Sequence, residues 1–512
     1  MKRLFFLLAT ILCTYGVYAQ SMNDAFEKFK QQQNSKFNQF KSDKQAEFDA
    51  FRKRVNEEYA RMMEQAWKPV KTQPAEPEPV VPKVEPVVCP DPEPTPAPTP
   101  TPAPQPTPQP QPTPTPKPQE IPVQKEPVVI PAPTPAPEPI APVVVPQEEI
   151  AKKETVLFYG TNITLQYPNQ EDFKLAGMNE KQLAKAWTQL SDTKYDVLVS
   201  SALSARKQYN LCDWGYIEFL QKALEKHYGK TNEAVFVQSF LLTQSGYRVR
   251  LAKDETKLYL LVASNYNLFK HSSIKLDGKT YFVTDGSPKS LQVCPSLYEK
   301  EKTVSLQIAT TPKLASKKSN QRHLSSKMGM TADVMVNTNL IDFYNNYPRS
   351  YINGDVTTTW VTYANTPLEK STKDLLYPAI KKSIEGLSER DAVNKILNWV
   401  QTAFVYEYDD KVWGGDRAFF ATETLYYPYC DCEDRSILFS RLIRDIIGDE
   451  VVLLYYPGHL ATAVQFKNDV KGDYLTFNNK KYVVCDPTFI GAGVGRTMPG
   501  MNNQQAKVIV LK

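Results

Sequence analysis

Apolar side chains between residues 21 and 67 recur every eleven positions. Eleven residues make almost three helical turns, so two rows of apolar residues lie on one face of a helix. The opposite face is charged or amidic. The pattern predicts an amphipathic helix over residues 20–68, typical of a self-associating stalk or coiled coil; a helix lying on a lipid surface is the alternative. The rows are Phe26, Phe37, Phe48 and Tyr59, and Phe29, Phe40, Phe51 and Met62.

Proline dominates the next part of the chain. Thirty of the 41 prolines lie between residues 69 and 146. Because proline lacks an amide hydrogen and has a fixed φ, we expect neither helix nor sheet there. Residues 69–149 are therefore predicted to be a disordered polyproline II linker.

Helical periodicity and short Val-, Tyr- and Leu-rich strands alternate from about residue 150 to the end. This alternation predicts an α+β fold. Residues 155–167 alternate like one strand. We divide the region into a first module at 150–300, a connecting β-rich segment at 301–365 and a second module at 366–512.

The second module places a thiol, an imidazole and a carboxylate at the ends of predicted elements. Cys432 opens an apolar-faced helix, His459 begins a strand after the Pro457-Gly458 turn, and Asp486 ends another strand. In that order they are the parts of a cysteine nucleophile system. Cys432 would attack a carbonyl carbon, His459 would transfer protons, and Asp486 would orient the ring. The pattern indicates acyl transfer from an amide.

Several alternatives stay open for these residues. The start of a helix favours a thiolate, whereas the adjoining Asp431, Glu433 and Asp434 favour the neutral thiol. A free cysteine is often a small apolar core residue, and an Asp before Pro often caps a turn. The Cys432 amide, Trp413 or Tyr427 are the oxyanion donors considered. A zinc site, a less favoured alternative, would use Cys430, Cys432, Cys485 and His459; the disulfides considered are Cys212–Cys294 and Cys430–Cys485.

Sequence blocks of the second module recur in the first about 201 residues earlier. The sequence KTYFVTD at 279–285 resembles KKYVVCD at 480–486, and helices of similar pattern begin near residues 231 and 432. We interpret this as a duplication. Threonine without an adjacent base is a poor nucleophile, so the first copy is predicted to be degenerate, with a structural or ligand-binding role. The matched positions are Thr231 with Cys432, Lys257 or Leu258 with His459, and Asp285 with Asp486.

The second module resembles the transglutaminase-like superfamily of papain-like cysteine enzymes over residues 366–512. The motifs that carry the resemblance are Cys430-Asp431-Cys432-Glu433-Asp434, His459, and Asp486-Pro487-Thr488, with Cys430 in place of the usual glycine. The resemblance implies a papain/transglutaminase-like core in which Cys432 is the nucleophile, His459 the base and Asp486 the orienting acid.

It also implies a protein or peptide substrate and no cofactor or metal. A protease or amidase is favoured over a calcium-dependent cross-linking enzyme, because no acidic calcium-loop pattern is present. A catalytically inactive envelope scaffold that binds peptide or glycan is the competing hypothesis.

The N-terminus has the features of a secretory signal. Lys2 and Arg3 precede an apolar run at 4–12, and Val17-Tyr18-Ala19 offers a cleavage site after Ala19. A lipid anchor at Cys13 is the alternative. We therefore expect an exported protein, periplasmic or extracellular. The net charge of +5 over 512 residues is too small to indicate nucleic acid. Cell-envelope contact or self-association is expected through residues 21–67.

Overall fold

The computed structural model describes residues 2–78, 87–89, 118–123, 128–129, 137–139, 152–169, 171–192, 195–295 and 300–512. It is a mixed α+β structure with a long N-terminal helix. One six-stranded sheet is barrel-like and nearly closed, and the other curls into a half barrel. The predicted α+β class is confirmed.

The elements are numbered in chain order. The helices are α1 (Lys2–Met63), α2 (Glu180–Ser191), α3 (Asp196–Gln208), α4 (Asp213–Tyr228), α5 (Asn232–Gln244), α6 (Thr338–Asn345), α7 (Thr359–Asn365), α8 (Lys370–Ile384), α9 (Glu389–Thr402), α10 (Asp409–Trp413), α11 (Ala421–Tyr426) and α12 (Cys432–Leu442). The strands are β1 (Lys68–Lys71), β2 (Val128–Val129), β3 (Lys152–Phe158), β4 (Thr161–Tyr167), β5 (Val249–Lys253), β6 (Leu258–Ala263), β7 (Tyr266–Leu268), β8 (Ser273–Leu276), β9 (Lys279–Val283), β10 (Ser290–Val293), β11 (Arg322–Ser325), β12 (Thr331–Val334), β13 (Ser350–Ile352), β14 (Val405–Tyr406), β15 (Tyr429–Cys430), β16 (Glu450–Tyr456), β17 (His459–Gln465), β18 (Tyr474–Phe477), β19 (Lys480–Cys485) and β20 (Lys507–Val510). Short 3₁₀ helices occupy Val356–Thr358 and Asn503–Gln505, and a π-helical turn occupies Ile443–Ile447.

The two six-stranded sheets have the same strand order. The first runs β8-β9-β6-β5-β10-β1 and the second runs β18-β19-β17-β16-β20-β2. In each, a helix (α5 or α12) leads into two antiparallel neighbours, β5 and β6 or β16 and β17. A later hairpin then pairs with the second of these strands. The sixth strand of each sheet comes from the proline-rich segment.

The end of α1 is held against the first module, whereas most of the described side chains between residues 28 and 54 face solvent. Tyr59 is fully buried and stacks on Trp187 with ring centroids 3.9 Å apart. Asn56 accepts hydrogen bonds from Trp187 and Gln244 at 3.1 and 2.7 Å. The predicted helix is present, but its apolar rows lie in two environments. The exposed members are Phe29, Phe37, Phe40 and Phe51; the side chains of Phe26 and Phe48 lie outside the described residues.

Helix α1 also runs through Ala19, the predicted cleavage position. The side chains of residues 1–27, Cys13 among them, lie outside the described residues. Within the described part of the chain, none of the helices is both long and apolar enough for a bilayer crossing. Export stays a prediction.

The expectation that the proline-rich segment forms no sheet is wrong at two places. Lys68–Lys71 pairs antiparallel with β10, and Val128–Val129 pairs parallel with β20. Both strands are last in their sheets, where a missing amide hydrogen at Pro69 costs no ladder bond to a further strand. Cys89 and Ile121 also donate backbone hydrogen bonds to Ile490 and Tyr474. The rest of residues 69–149 lies largely outside the described residues.

Two smaller predictions are corrected by the structure. Residues 155–167 form the hairpin β3–β4 instead of one strand, because Tyr159 and Gly160 take positive φ values of 42° and 70° and reverse the chain. The segment 301–365 is not simply β-rich, since it contains α6 and α7 beside three short strands.

Candidate functional site

Cys432 is the first residue of α12, as predicted. Asp431 precedes the helix in an extended conformation, and its amide donates to the Asp434 carboxylate at 3.2 Å. Asp434 also accepts the Phe419 amide at 2.8 Å. These bonds fix the backbone at the start of the helix. Beyond Leu442 the helix continues as a π-helical turn. This turn ends at Gly448, whose φ is 85°.

His459 and Asp486 meet, as the sequence predicts. The His459 Nε2 atom lies 2.8 Å from Asp486 Oδ2, and both side chains are buried. Asp486 Oδ1 accepts the amides of Thr488 and Phe489 at 2.8 and 3.2 Å. Asp486 therefore caps the turn after β19 and contacts the imidazole at the same time. In a neutral ring that donates from Nε2, Nδ1 carries the lone pair.

The Nδ1 atom of His459 is buried and has no hydrogen-bond partner among the described residues. A buried polar atom normally has such a partner, and one without is a mark of strain, catalysis or a missing ligand. The imidazole is thus held at one nitrogen and available at the other.

The hydrogen bonds of the described residues do not join the Cys432 sulfur to the imidazole, because His459 Nε2 contacts Asp486 and Nδ1 has no partner. The Cys432 thiol donates to Glu433 Oε2 at 3.1 Å. One turn later, Ser436 donates to the Leu460 carbonyl at 2.7 Å, which ties this face of α12 to the residue after His459. Side chains alternate along a strand, so Leu460 shares an apolar cluster with Cys432, while His459 lies beside Tyr456. The structure therefore joins His459 and Asp486 directly, whereas Cys432 is related to them only through the contact of α12 with β17.

Two polar core residues join the three elements, and the sequence analysis missed both. Arg435 is fully buried and donates to the carbonyls of Gln401 and Phe404 at 3.1 and 2.9 Å. The Gln401 side-chain amide donates to the Asp486 carbonyl at 2.9 Å and to two further carbonyls of the loop after β19. The sequence signal for their role was a glutamine and an arginine on the otherwise apolar faces of α9 and α12, where a polar side chain needs buried partners.

Carboxylates surround the start of α12. The ligand atoms of Asp431, Cys432 and Glu433 lie within 4.8 Å of one another, and so do those of Asp409, Asp431 and Asp434. Asp409 accepts the Arg417 amide at 2.8 Å, as Asp434 accepts Phe419, so part of the cluster satisfies backbone donors. These are the side chains that could hold a cation here. The zinc set considered from sequence is not among the groups of ligand atoms that lie this close together in the described chain.

Two tyrosines mark the surroundings of the sulfur. Burial, and after it the negative charge of Cys432, raises the pKa of Tyr406. Burial chiefly, with a contribution from Cys432, also raises the pKa of Tyr455. Cys432 itself is 4% exposed. The site as described is closed, and a substrate would reach the sulfur only after the covering chain moves.

The other predicted thiols are not bridged. Cys212, Cys294, Cys430 and Cys485 are all free, so neither disulfide considered from sequence forms. Burial raises the pKa of Cys430 and of Cys485, and it raises the pKa of Cys212 to about 11. These thiols are therefore neutral near pH 6.

Of the oxyanion donors considered, Tyr427 is already engaged. Its hydroxyl donates to Asn345 at 3.0 Å, and its ring packs edge-on against Trp413 with centroids 4.7 Å apart. Arg417 lies over both rings. The two aromatic residues thus form a cluster around Arg417, and the Cys432 amide at the helix start is the donor left for the proposal below.

No family model matches the chain, and neither a curated protein nor a solved structure is significantly similar to it. The resemblance to transglutaminase-like enzymes therefore depends on the motifs and geometry described above.

Proposed function

We propose that this chain is an exported, transglutaminase-like cysteine enzyme that hydrolyses amide bonds of protein or peptide substrates through a thioester on Cys432. The observation that carries the proposal is the His459 ring, which Asp486 holds at Nε2 while the buried Nδ1 has no partner among the described residues. A general base needs this arrangement, with the ring oriented by one nitrogen and the other available for a proton.

The reaction would begin when the Cys432 sulfur comes within hydrogen-bond reach of Nδ1 of His459 and transfers its proton to that atom. The sulfur then attacks the carbonyl carbon, and the Cys432 amide donates to the developing oxyanion. The C–N bond breaks and the amine leaves with the proton from His459. Water attacks the thioester carbonyl carbon and gives its proton to His459. The C–S bond then breaks, the acid is released, and the Cys432 sulfur takes the proton back from His459. A lysine amine in place of water would give cross-linking, the less favoured outcome.

The same proposal includes the fold of the two modules as two copies of one core. Two copies of a papain/transglutaminase-like core explain why both sheets have one strand order with a helix before the first central strand. The matching blocks of sequence about 201 positions apart support the same duplication.

A non-catalytic envelope scaffold that binds peptide or glycan is the second candidate. Two observations favour it: the thiol donates to Glu433, and Cys432 is almost completely buried. A carboxylate beside the sulfur stabilises the neutral thiol against the reactive thiolate.

Alkylation of the intact protein by iodoacetamide at pH 6 separates the two candidates. We expect Cys432 to react, because transfer of its proton to His459 gives a thiolate, while the partly buried Cys212 and the buried Cys430 and Cys485 stay neutral. His459→Ala should slow this labelling by about 100-fold, the size of a typical general-base contribution. The measurement is the rate of mass increase at each cysteine by peptide mapping.

Cys430→Ala is the matched control and should label at the wild-type rate, since Cys430 is two residues from Cys432 and outside the proposed chemistry. Equal labelling of the wild type and His459→Ala, with both proteins folded, would contradict the enzyme proposal.

A further inference from the structure

A cavity of about 410 Å³ opens in the first module at the place that corresponds to the proposed catalytic site of the second. It is bounded by α4, the start of α5, the start of β6 and the loop after β9. Its volume falls within the range of about 300–1,000 Å³ usual for ligand pockets.

The strand registers identify the corresponding residues. Val249 pairs with Val262 in the first sheet, and Val451 pairs with Val464, 202 positions later in both strands. This register matches Lys257 to His459 and removes the choice between Lys257 and Leu258. Ile274 pairs with Tyr281 where Leu475 pairs with Tyr482, 201 positions later, which matches Asp285 to Asp486.

The helix start and strand start meet in the first module as well. Asn232, the first residue of α5, accepts the Leu258 amide at 2.9 Å and donates to the Thr256 carbonyl at 3.1 Å. Thr231, the residue matched to Cys432 by sequence, precedes it and caps the helix. Thr231, Lys257 and Asp285 all line the cavity. The nucleophile and base are replaced, but the cleft between the same two elements is retained.

Charges of both signs line this cavity. Lys230 and Lys257 are exposed at its wall and form no ion pair with another described residue, and the same holds for Asp285. Glu225 adds a second carboxylate from α4. A polyanion would be repelled by the two acids and a polycation by the two lysines. A ligand with amide donors and carbonyl acceptors satisfies both sets without a net charge.

We propose that this cavity of the first module is a non-catalytic peptide-binding site that holds another part of the amide substrate cleaved in the second module. The role as a second substrate contact rests on the function proposed above; peptide binding itself does not. Leu258 and Leu260 give the cavity an apolar wall against which a side chain of the bound peptide would pack. The charged groups of the cavity would surround the backbone of that peptide.

The test uses the full chain carrying Cys432→Ala, so that nothing is cleaved. The probe is an acetylated, amidated tetrapeptide, Ala-(p-benzoylphenylalanine)-Ala-Ala, cross-linked by light and located by mass spectrometry. We expect cross-links at the lining segments 221–238, 257–260 and 284–288. Lys257→Glu should lower their yield about five-fold, an effect of about 1 kcal/mol. Unlabelled acetyl-tetraalanine amide should compete.

Lys279→Glu is the matched control, because Lys279 is an exposed lysine of the same sheet outside the cavity. It should leave the yield unchanged, and thermal unfolding confirms that each variant is folded. No cross-links at these lining segments, or a yield there that Lys257→Glu leaves unchanged, would overturn the inference. Competition by chitotriose with none by the peptide would overturn the peptide assignment in favour of a glycan. Cross-links in the cavity of a chain whose Cys432 proves unreactive would leave this site standing and remove only its link to catalysis.

Discussion

Two buried carboxyl groups of the second module, those of Asp486 and Glu423, differ in their hydrogen-bond partners. Asp486 accepts backbone amides and the His459 ring, so its position is fixed from both sides. Glu423 is 1% exposed and accepts Arg417 at 2.7 Å and the Phe420 amide at 3.0 Å. Burial, opposed by Arg417, raises the pKa of Glu423 to about 7.

This pKa makes Glu423 a source of pH-dependent stability. The protonated carboxyl is favoured by folding, so its contribution is complete below the unfolded pKa of ~4.3 and is lost as the pH rises through about 7. The loss amounts to about 3 kcal/mol. Because Gln does not titrate, the stability of Glu423→Gln relative to wild type should rise by up to that amount between pH 5 and pH 8. Urea unfolding at both pH values measures it, and an unchanged difference would contradict the prediction.

At the scale of elements, the eleven-residue apolar repeat of α1 lies partly in solvent and partly in the core. Phe37 and Tyr59 belong to the same apolar row, two repeats apart. Phe37 is 66% exposed, whereas Tyr59 is fully buried against Trp187 of α2. Self-association through the exposed stretch stays a prediction, because the described chain is a single copy.

The pair gives a matched comparison. Tyr59→Ala should lower the free energy of unfolding by about 3 kcal/mol, since a buried aromatic ring and its stacking partner lose contact. Phe37→Ala should stay within about 0.5 kcal/mol in the monomer, because its ring touches mainly solvent. Denaturant unfolding at low protein concentration measures both. Equal effects would show that the two ends of the row have the same surroundings.

At the scale of the molecule, the proline-rich segment contacts both modules. Its strands β1 and β2 complete the two sheets at corresponding edges. Between them, Cys89 packs on Phe489 and Met498, next to the loop that follows Asp486. Ile121 is 1% exposed and packs on Leu475 and Tyr482.

These contacts predict local protection within a segment whose composition favours disorder. The amides of Cys89 and Ile121, bonded to Ile490 and Tyr474 at 2.8 and 2.7 Å, should exchange hydrogen slowly. Ile121→Asp should raise exchange at Ile121 and in β18 by about tenfold or more, because a buried unpaired charge is costly. Exposed Pro122→Ala is the control and should leave β18 unchanged. Hydrogen exchange with mass spectrometry measures this, and fast exchange in the unaltered chain would refute the docking.

Much of this protein can be predicted from short-range patterns. The start of α12 at Cys432, the turn at Gly458, the start of β17 at His459 and the end of β19 before Asp486 follow from periodicity and turn residues, and the structure has each within a residue or two. The amphipathic helix is present too, but α1 spans Lys2–Met63 instead of the predicted 20–68. These features depend on neighbours three or four positions away, which the sequence displays directly. The contact of His459 with Asp486 was also predicted, although these residues are 27 positions apart, because the sequence places each at the end of a strand and assigns Asp486 to orient the ring.

Tertiary structure alone decided the rest, since those outcomes depend on groups far apart in the chain. Gln401 and Arg435 became the link between α9, α12 and the Asp486 loop only because three elements converge on them. Pro69 of β1 and Ile121 have partners hundreds of positions away, where a sheet edge can take an extended chain. The thiol of Cys432 donates to the adjoining Glu433, and only the packing of α12 against β17 decides how far the sulfur lies from His459.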